Sequence, residues 1–228
     1  LKNRHRLRPS TRRRTLLQLS YLYRELGDLY LASVLAGECL ELARGEGDRL
    51  AEAGVLNTLA NIEHDEGQPQ AALVHYEAAR RILLDIGGHH EMVATVGTNL
   101  GGCLAAVGRF DDGLRLLDES YETARTAGFR RVASLSLTRM AEAWTARGDQ
   151  DRALSLLAES DALAGRTGEP YDDILFLNAY HRWKLARRSR NETREKIAFG
   201  RLRHLRSKLQ RSFVEVEQFD RHVERIRR

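Results

Sequence analysis

The stretch "ANIEHDEGQPQAALVHYEAA", residues 60 to 79, gathers His64, Asp65, Glu66 and His75 around Gly67-Gln68-Pro69. Imidazoles beside carboxylates are the donor set of a zinc site, so the first question is whether they can converge. A helical zinc site needs ligands at i, i+4 spacing, or a Cys-x-x-Cys pair. His64, Asp65 and Glu66 are consecutive in one turn and point in different directions, and His75 lies beyond the Gly-Pro break on the next helix. The stretch is therefore read as a turn, with no metal. His89-His90 beside Gly87-Gly88 has no better spacing. Neither a Gly-x-Ser-x-Gly elbow, a Walker-type loop nor a dinucleotide fingerprint occurs, and "RGEGD" has no strand before it to make a phosphate cradle. The expectation is a non-catalytic chain without a cofactor.

The bulk composition agrees with a helical protein. Three prolines stand against abundant Ala, Leu, Glu and Arg in 228 residues, and 42% hydrophobic content supports a core. No apolar run approaches the ~20 residues of a membrane span. Cys39 and Cys103 sit in apolar helical patterns without ligand spacing, which reads as reduced core thiols in a cytoplasmic protein. Charge is segregated. Residues 1 to 14 carry seven basic and no acidic residues, residues 182 to 228 carry 16 basic and six acidic, and the middle carries 14 against 26. The basic leader, residues 1–14, reads as a linker from a missing upstream region, with Ser10 or Thr11 capping the first helix. Such a tail adds sequence-independent, salt-sensitive affinity for DNA.

The glycines set a period. Gly27, Gly67, Gly108 and Gly148 form one series, and Gly47, Gly87, Gly128 and Gly168 a second with the same steps of about forty residues. Two such marks per period mean two helices per period. Eight residues before the first series stand Leu19, Leu59, Leu100 and Met140, each followed by a small Ser20, Ala60, Gly101 or Ala141. Five residues after it stand Ala32, Ala72, Gly113 and Ala153. A large residue beside a small one, facing a small one on the next helix, lets antiparallel helices pack closely.

These positions, in "LNTLANIEHDEGQPQAALVHY", "GTNLGGCLAAVGRFDDGLRLL" and "LTRMAEAWTARGDQDRALSLL", resemble the tetratricopeptide repeat. "LLQLSYLYRELGDLYLASVLA" fits as a looser first copy. A degenerate fifth begins at "LFLNAYHRWKLARR", where Trp183 falls about one period after Trp144 and no turn glycine remains. The resemblance implies an all-α fold, a right-handed α-solenoid of about five helix pairs over residues 15–190. Residues 191–228 would supply the basic last repeat helix and a C-terminal cap. The repeat type, the start without Met and the ending "GRLRHLRSKLQRSFVEVEQFD" together also resemble the C-terminal sensor halves of bacterial helix-turn-helix transcriptional regulators. That implies a peptide or protein ligand, DNA contact through the missing upstream domain, and a homodimer as one arrangement.

In a solenoid the first helix of each pair lines the concave wall. Counting back from the turn glycines places Gln18, Tyr21, Asn57, Asn61, Thr98, Asn99, Thr138, Arg139 and Glu142 along it, with His64 in the last turn. Asparagine is a mediocre helix former, so three on one wall need a reason; a carboxamide can hold a peptide main chain whatever its sequence. The resemblance to carboxylate-clamping tetratricopeptide cochaperones covers Asn61, Asn99 and Arg139, while Asn57 and Leu135 replace the clamp's two lysines. A structural adaptor in a multiprotein complex is the rival reading.

The C-terminal stretch offers a third. Ala198, Leu202, Leu205 and Leu209 form an apolar stripe, and Arg201, Arg203, His204, Arg206, Lys208 and Arg211 surround it. These cations could meet nucleic acid, an acidic partner or a dimer mate. Ser212 and Glu215 have capping-box spacing, opening a last helix whose Phe213, Val216, Phe219, Val223 and Ile226 would close the stack.

Overall fold

The computed structural model describes residues 9–166, 170–209 and 214–227; the leader residues 1–8, Gly168, Arg211, Ser212 and Phe213 lie outside the described residues. Eleven helices, and no strand, occur among the described residues. The chain divides into two compact units, Leu1–His89 and His90–Arg228. The first unit holds α1 (Pro9–Glu25), α2 (Leu29–Gly45), α3 (Arg49–Asp65) and α4 (Pro69–Ile86). The second holds α5 (His90–Ala106), α6 (Phe110–Ala127), α7 (Arg130–Arg147), α8 (Gln150–Ala164), α9 (Asp172–Arg188), α10 (Glu192–Arg206) and α11 (Val214–Arg227).

One tripeptide turn explains most of these boundaries. The Gly27 N–H donates to the Arg24 carbonyl at 3.1 Å and the Asp28 N–H to the Tyr23 carbonyl at 2.9 Å, the paired bonds of a Schellman stop. Gly27 has φ of 81°, which glycine adopts without the Cβ clash other residues suffer. Asp28 then caps the following helix, accepting from the Leu31 N–H at 3.0 Å. The same double duty falls to Asp48, Asp149 and Asn191. Stopping one helix and starting its antiparallel partner thus takes three residues.

The fifth pair keeps this turn without its glycine. Arg190 takes φ of 53°, its N–H reaches the Arg187 carbonyl at 3.1 Å, and the Asn191 N–H reaches the Ala186 carbonyl at 2.9 Å. Arg190 is therefore the turn counterpart of Gly148. This corrects the register of α9: four residues before the turn, the counterpart of Trp144 is Ala186, not Trp183. Trp183 packs instead in the C-terminal core with Tyr180, Phe199 and Phe219.

Each of the first four pairs closes on the small residues the spacing selects. Ala60 and Ala72 have no exposure, as do Ala32 and Ala153. At Gly101 an added Cβ would stand 2.9 Å from the Gly113 carbonyl oxygen, and at Gly113 2.6 Å from that of Gly101. The helices of this pair touch backbone to backbone.

Two expectations shift, and the one for the cysteines does not. Ser10 and Thr11 lie inside α1, which begins at Pro9, the residue best suited to a first helical turn. Of the last helix, Val216 and Phe219 are buried, with Phe219 edge-on to Phe176 at 5.9 Å, whereas Ile226 faces solvent. Cys39 and Cys103 are buried free thiols, and burial pushes Cys103 up to about 11.

Candidate functional site

The first helices of neighbouring pairs lie side by side within each unit: α1 with α3, α5 with α7, and α7 with α9. In the first unit Gln18 is exposed and Asn57, Asn61 and His64 are half-buried. The Tyr21 hydroxyl lies 3.1 Å from Thr58 Oγ1, tying α1 to α3. The Asn61 carbonyl oxygen accepts from the Tyr76 hydroxyl of α4 at 2.7 Å, which fixes the carboxamide plane. Around it, Arg24 pairs with Asp65 at 2.6 Å and His75 Nδ1 lies 2.8 Å from Glu63. His75 thus meets a carboxylate on its own hairpin. Among the described residues no three His, Cys, Asp or Glu side chains are grouped to hold a metal ion.

In the second unit the wall carries one linked cluster of charges. Arg139 Nη1 donates to both carboxylate oxygens of Glu142, at 3.0 and 2.8 Å, and His181 Nε2 of α9 lies 2.7 Å from Glu142 Oε1. Burial alone would raise the Glu142 carboxyl, but Arg139 and His181 outweigh it and hold the group well below the usual carboxylate range. Arg139 runs over Gly102, where an added Cβ would stand 3.2 Å from its Cδ. Half-buried Asn99 belongs to the same register of α5.

Thr98 and Thr138 leave the wall. Both have no exposure. Thr98 Oγ1 lies 2.7 Å from Ser136 Oγ, and Thr138 Oγ1 donates to Asn178 Oδ1 at 2.7 Å. A threonine ten residues before the turn points at the neighbouring first helix, so its hydroxyl serves the seam between pairs.

That seam went unread in the sequence. Asn178 Nδ2 donates to Ser160 Oγ at 2.8 Å and to Asp161 Oδ1 at 2.9 Å; Ser134 and Ser160 share bonds of 2.9 Å. Small hydroxyls in "VASLSLT" gave the hint, because they alternate with apolar residues at buried positions. His181 was also missed. It stands nine residues before Arg190, as Asn99 and Arg139 stand nine before their glycines, but the absent glycine hid the count.

The basic face of α10 is partly neutralised within the fold. Arg201 lies 2.9 Å from Asp161, and Arg206 binds both oxygens of Asp220 at 3.0 and 3.2 Å. Arg203, His204 and Lys208 are exposed.

No protein-family profile and no curated protein matches the sequence. Solved structures do. A putative kinesin light chain with nearly identical tetratricopeptide-like repeats, from Podosopora anserina, aligns with TM-score 0.62 and 18% identity over 90% of this chain and 100% of its own. A Rap protein complexed with Competence and Sporulation Factor aligns with TM-score 0.79 and 12% identity, over 88% of this chain and 56% of its own. BtubC of P. vanneervenii gives 0.64 and 19% over 86% and 83%. At these identities the likeness is one of fold, and the fold of this chain is a tetratricopeptide-like repeat array.

Proposed function

We propose that the chain is a non-catalytic peptide- or protein-binding module, the sensor part of a bacterial transcriptional regulator, acting in the cytoplasm. The observation that carries the reading is the wall of the second unit, where Asn99, Arg139 and His181 sit in register on three adjacent first helices and Glu142 joins the last two. Their geometry is set in advance by the bidentate ion pair and the shelf at Gly102, so a partner meets ordered polar groups and binding orders few side chains. Because Glu142 neutralises Arg139, the wall favours a hydrogen-bonding main chain over a lone terminal carboxylate. In the first unit Asn61, oriented by Tyr76, offers its NH2 donor in the same way. A Rap protein of this fold was solved complexed with Competence and Sporulation Factor, which supports a binding role for the array. DNA would be reached through a domain upstream of residue 1, and a homodimer would match two-fold operator sites.

Two measurements test this. Affinity purification with the wild-type chain, followed by titration of the retained partner, is expected to show at least tenfold weaker binding for Asn99→Ala with Arg139→Ala; equal binding rejects the wall. The coding sequence just upstream of Leu1 is expected to encode a short helix-turn-helix domain, and its absence there rejects the regulator reading while leaving the binding module.

A further inference from the structure

The fourth and fifth helix pairs share a turn register but differ in what fills the space beside it. In the fourth, Trp144 stands four residues before Gly148, with the Arg152 guanidinium 3.9 Å from its ring centre and that of Arg147 at 5.1 Å. Leu137 and Leu156 pack in the same cluster. Counted from Arg190, the fifth pair puts Ala186 at the place of Trp144, Ala179 at that of Leu137 and Ala198 at that of Leu156. Arg194 falls at the place of Arg152. Three large side chains become alanine while the stacking arginine stays.

The lost volume is visible as a cleft of about 240 Å³ floored by α9 and walled by α8 and α10. Leu154, Leu185 and Ile197 give it apolar sides, and Ile197 is 69% exposed at its lip. Its charge is positive. A single carboxylate, Asp161, serves both Arg182 at 2.7 Å and Arg201 at 2.9 Å, and among the described residues no acid pairs with Arg194. Apolar walls shaped by a missing indole, under an arginine whose counterpart stacks on one, suit a flat ring; two further guanidinium groups suit an anion.

We propose that this cleft binds an aromatic carboxylate, the ring lying beneath Arg194 and the carboxylate reaching Arg182 and Arg201. A free arylcarboxylate and the C-terminal aromatic residue of a peptide share this chemistry. The site is formed with the second helices α8 and α10, so it is separate from the wall residues of α5 and α7.

Titration calorimetry on the full chain tests it with N-acetyltryptophan, N-acetyltryptophanamide and a tetrapeptide ending in tryptophan. The acid is expected to bind at least about tenfold more tightly than the amide, since each charge-assisted contact is worth a factor of this order. A tetrapeptide tighter than the acid assigns the site to peptide ends, and equal affinity assigns it to the free acid. Ala186→Trp, which rebuilds the indole of the fourth pair, is expected to abolish binding, and Arg194→Gln to weaken it about three- to tenfold. If Ala186→Trp lacks a cooperative melt, Ala198→Leu replaces it as the filling variant. Asn99→Ala should leave all three titrations unchanged, which keeps this test independent of the polar wall. Absence of saturable binding by acid and peptide alike, equal affinity for acid and amide, or wild-type affinity in the filled cleft overturns the proposal.

Discussion

The Thr138 hydroxyl donates to the Asn178 carboxamide oxygen across 2.7 Å, joining α7 to α9 where neither residue has any exposure. Around this bond, Ser134, Ser160 and Asp161 complete a polar seam in which one group's donor is the next group's acceptor. Such a network is stabilising only when complete, because a buried polar group left without its partner keeps its full desolvation cost.

Asn178→Ala removes the acceptor for Thr138 and a donor to both Ser160 and Asp161. It is expected to lower unfolding stability by about 2–4 kcal/mol, measured by urea denaturation. Thr138→Val, which keeps the shape and loses one hydroxyl, is expected to cost roughly half as much. A cost below about 0.5 kcal/mol for Asn178→Ala would mean that the seam is not held by these bonds.

Arg190 occupies a left-handed turn where the other copies carry glycine. Releasing the Cβ strain outweighs the extra backbone entropy glycine loses on folding, so Arg190→Gly is expected to raise stability by up to about 1 kcal/mol. Arg190→Val should lower it, because a β-branched residue fits this conformation worst. Thermal melts of the two variants settle the sign.

Gly101 is fixed by contact rather than by backbone angle. A Cβ there would meet Leu117 Cγ at 2.8 Å and the Gly113 carbonyl oxygen at 2.9 Å. Alanine is the better helix former by about 1 kcal/mol, yet prying the two helices apart costs more, so Gly101→Ala is expected to destabilise by roughly 1–3 kcal/mol. Gly37, which has open space at its Cβ position, is the control: Gly37→Ala should stabilise.

The Glu142 carboxyl sits below its unfolded value, near about 4.3, because Arg139 and His181 favour the charged form over the burial that opposes it. A depressed carboxyl contributes stability that is present above the unfolded value and is lost as pH falls toward the folded one. Glu142→Gln should therefore be less stable than wild type at neutral pH, and the gap should close as pH drops below about 4. Melting temperatures at pH 7, 5 and 3 check this; a gap that does not change with pH would show that the ionisation of Glu142 adds nothing.

How much of this was legible depended on whether a feature was local. The turns were, because a left-handed glycine writes the stop, and at Gly27, Gly47 and Gly148 the Asp that follows writes the start as well. The small residues at Ala60, Ala72, Gly101 and Gly113 were legible because close packing of adjacent helices leaves a fixed offset from the turn. The fifth pair was misaligned for the same reason, since Arg190 hides the mark from which Ala186 and His181 must be counted. Thr98 and Thr138 were read as wall residues because a hydroxyl carries no sign of the partner that will satisfy it. That partner lies on another helix about forty residues away, at Ser136 or Asn178, and only the stacking of pairs brings it near.

Because the tripeptide that ends one helix also begins the next at Asp28, Asp48, Asp149 and Asn191, those boundaries are written where they fall and owe nothing to distant sequence. A gene encoding such a chain can gain or lose a whole hairpin by unequal exchange, and every remaining junction still closes. A cut within a helix shifts the apolar face by 100° per residue and ruins it. Lengthening by doubled hairpins is thus the evolutionary path this architecture leaves open.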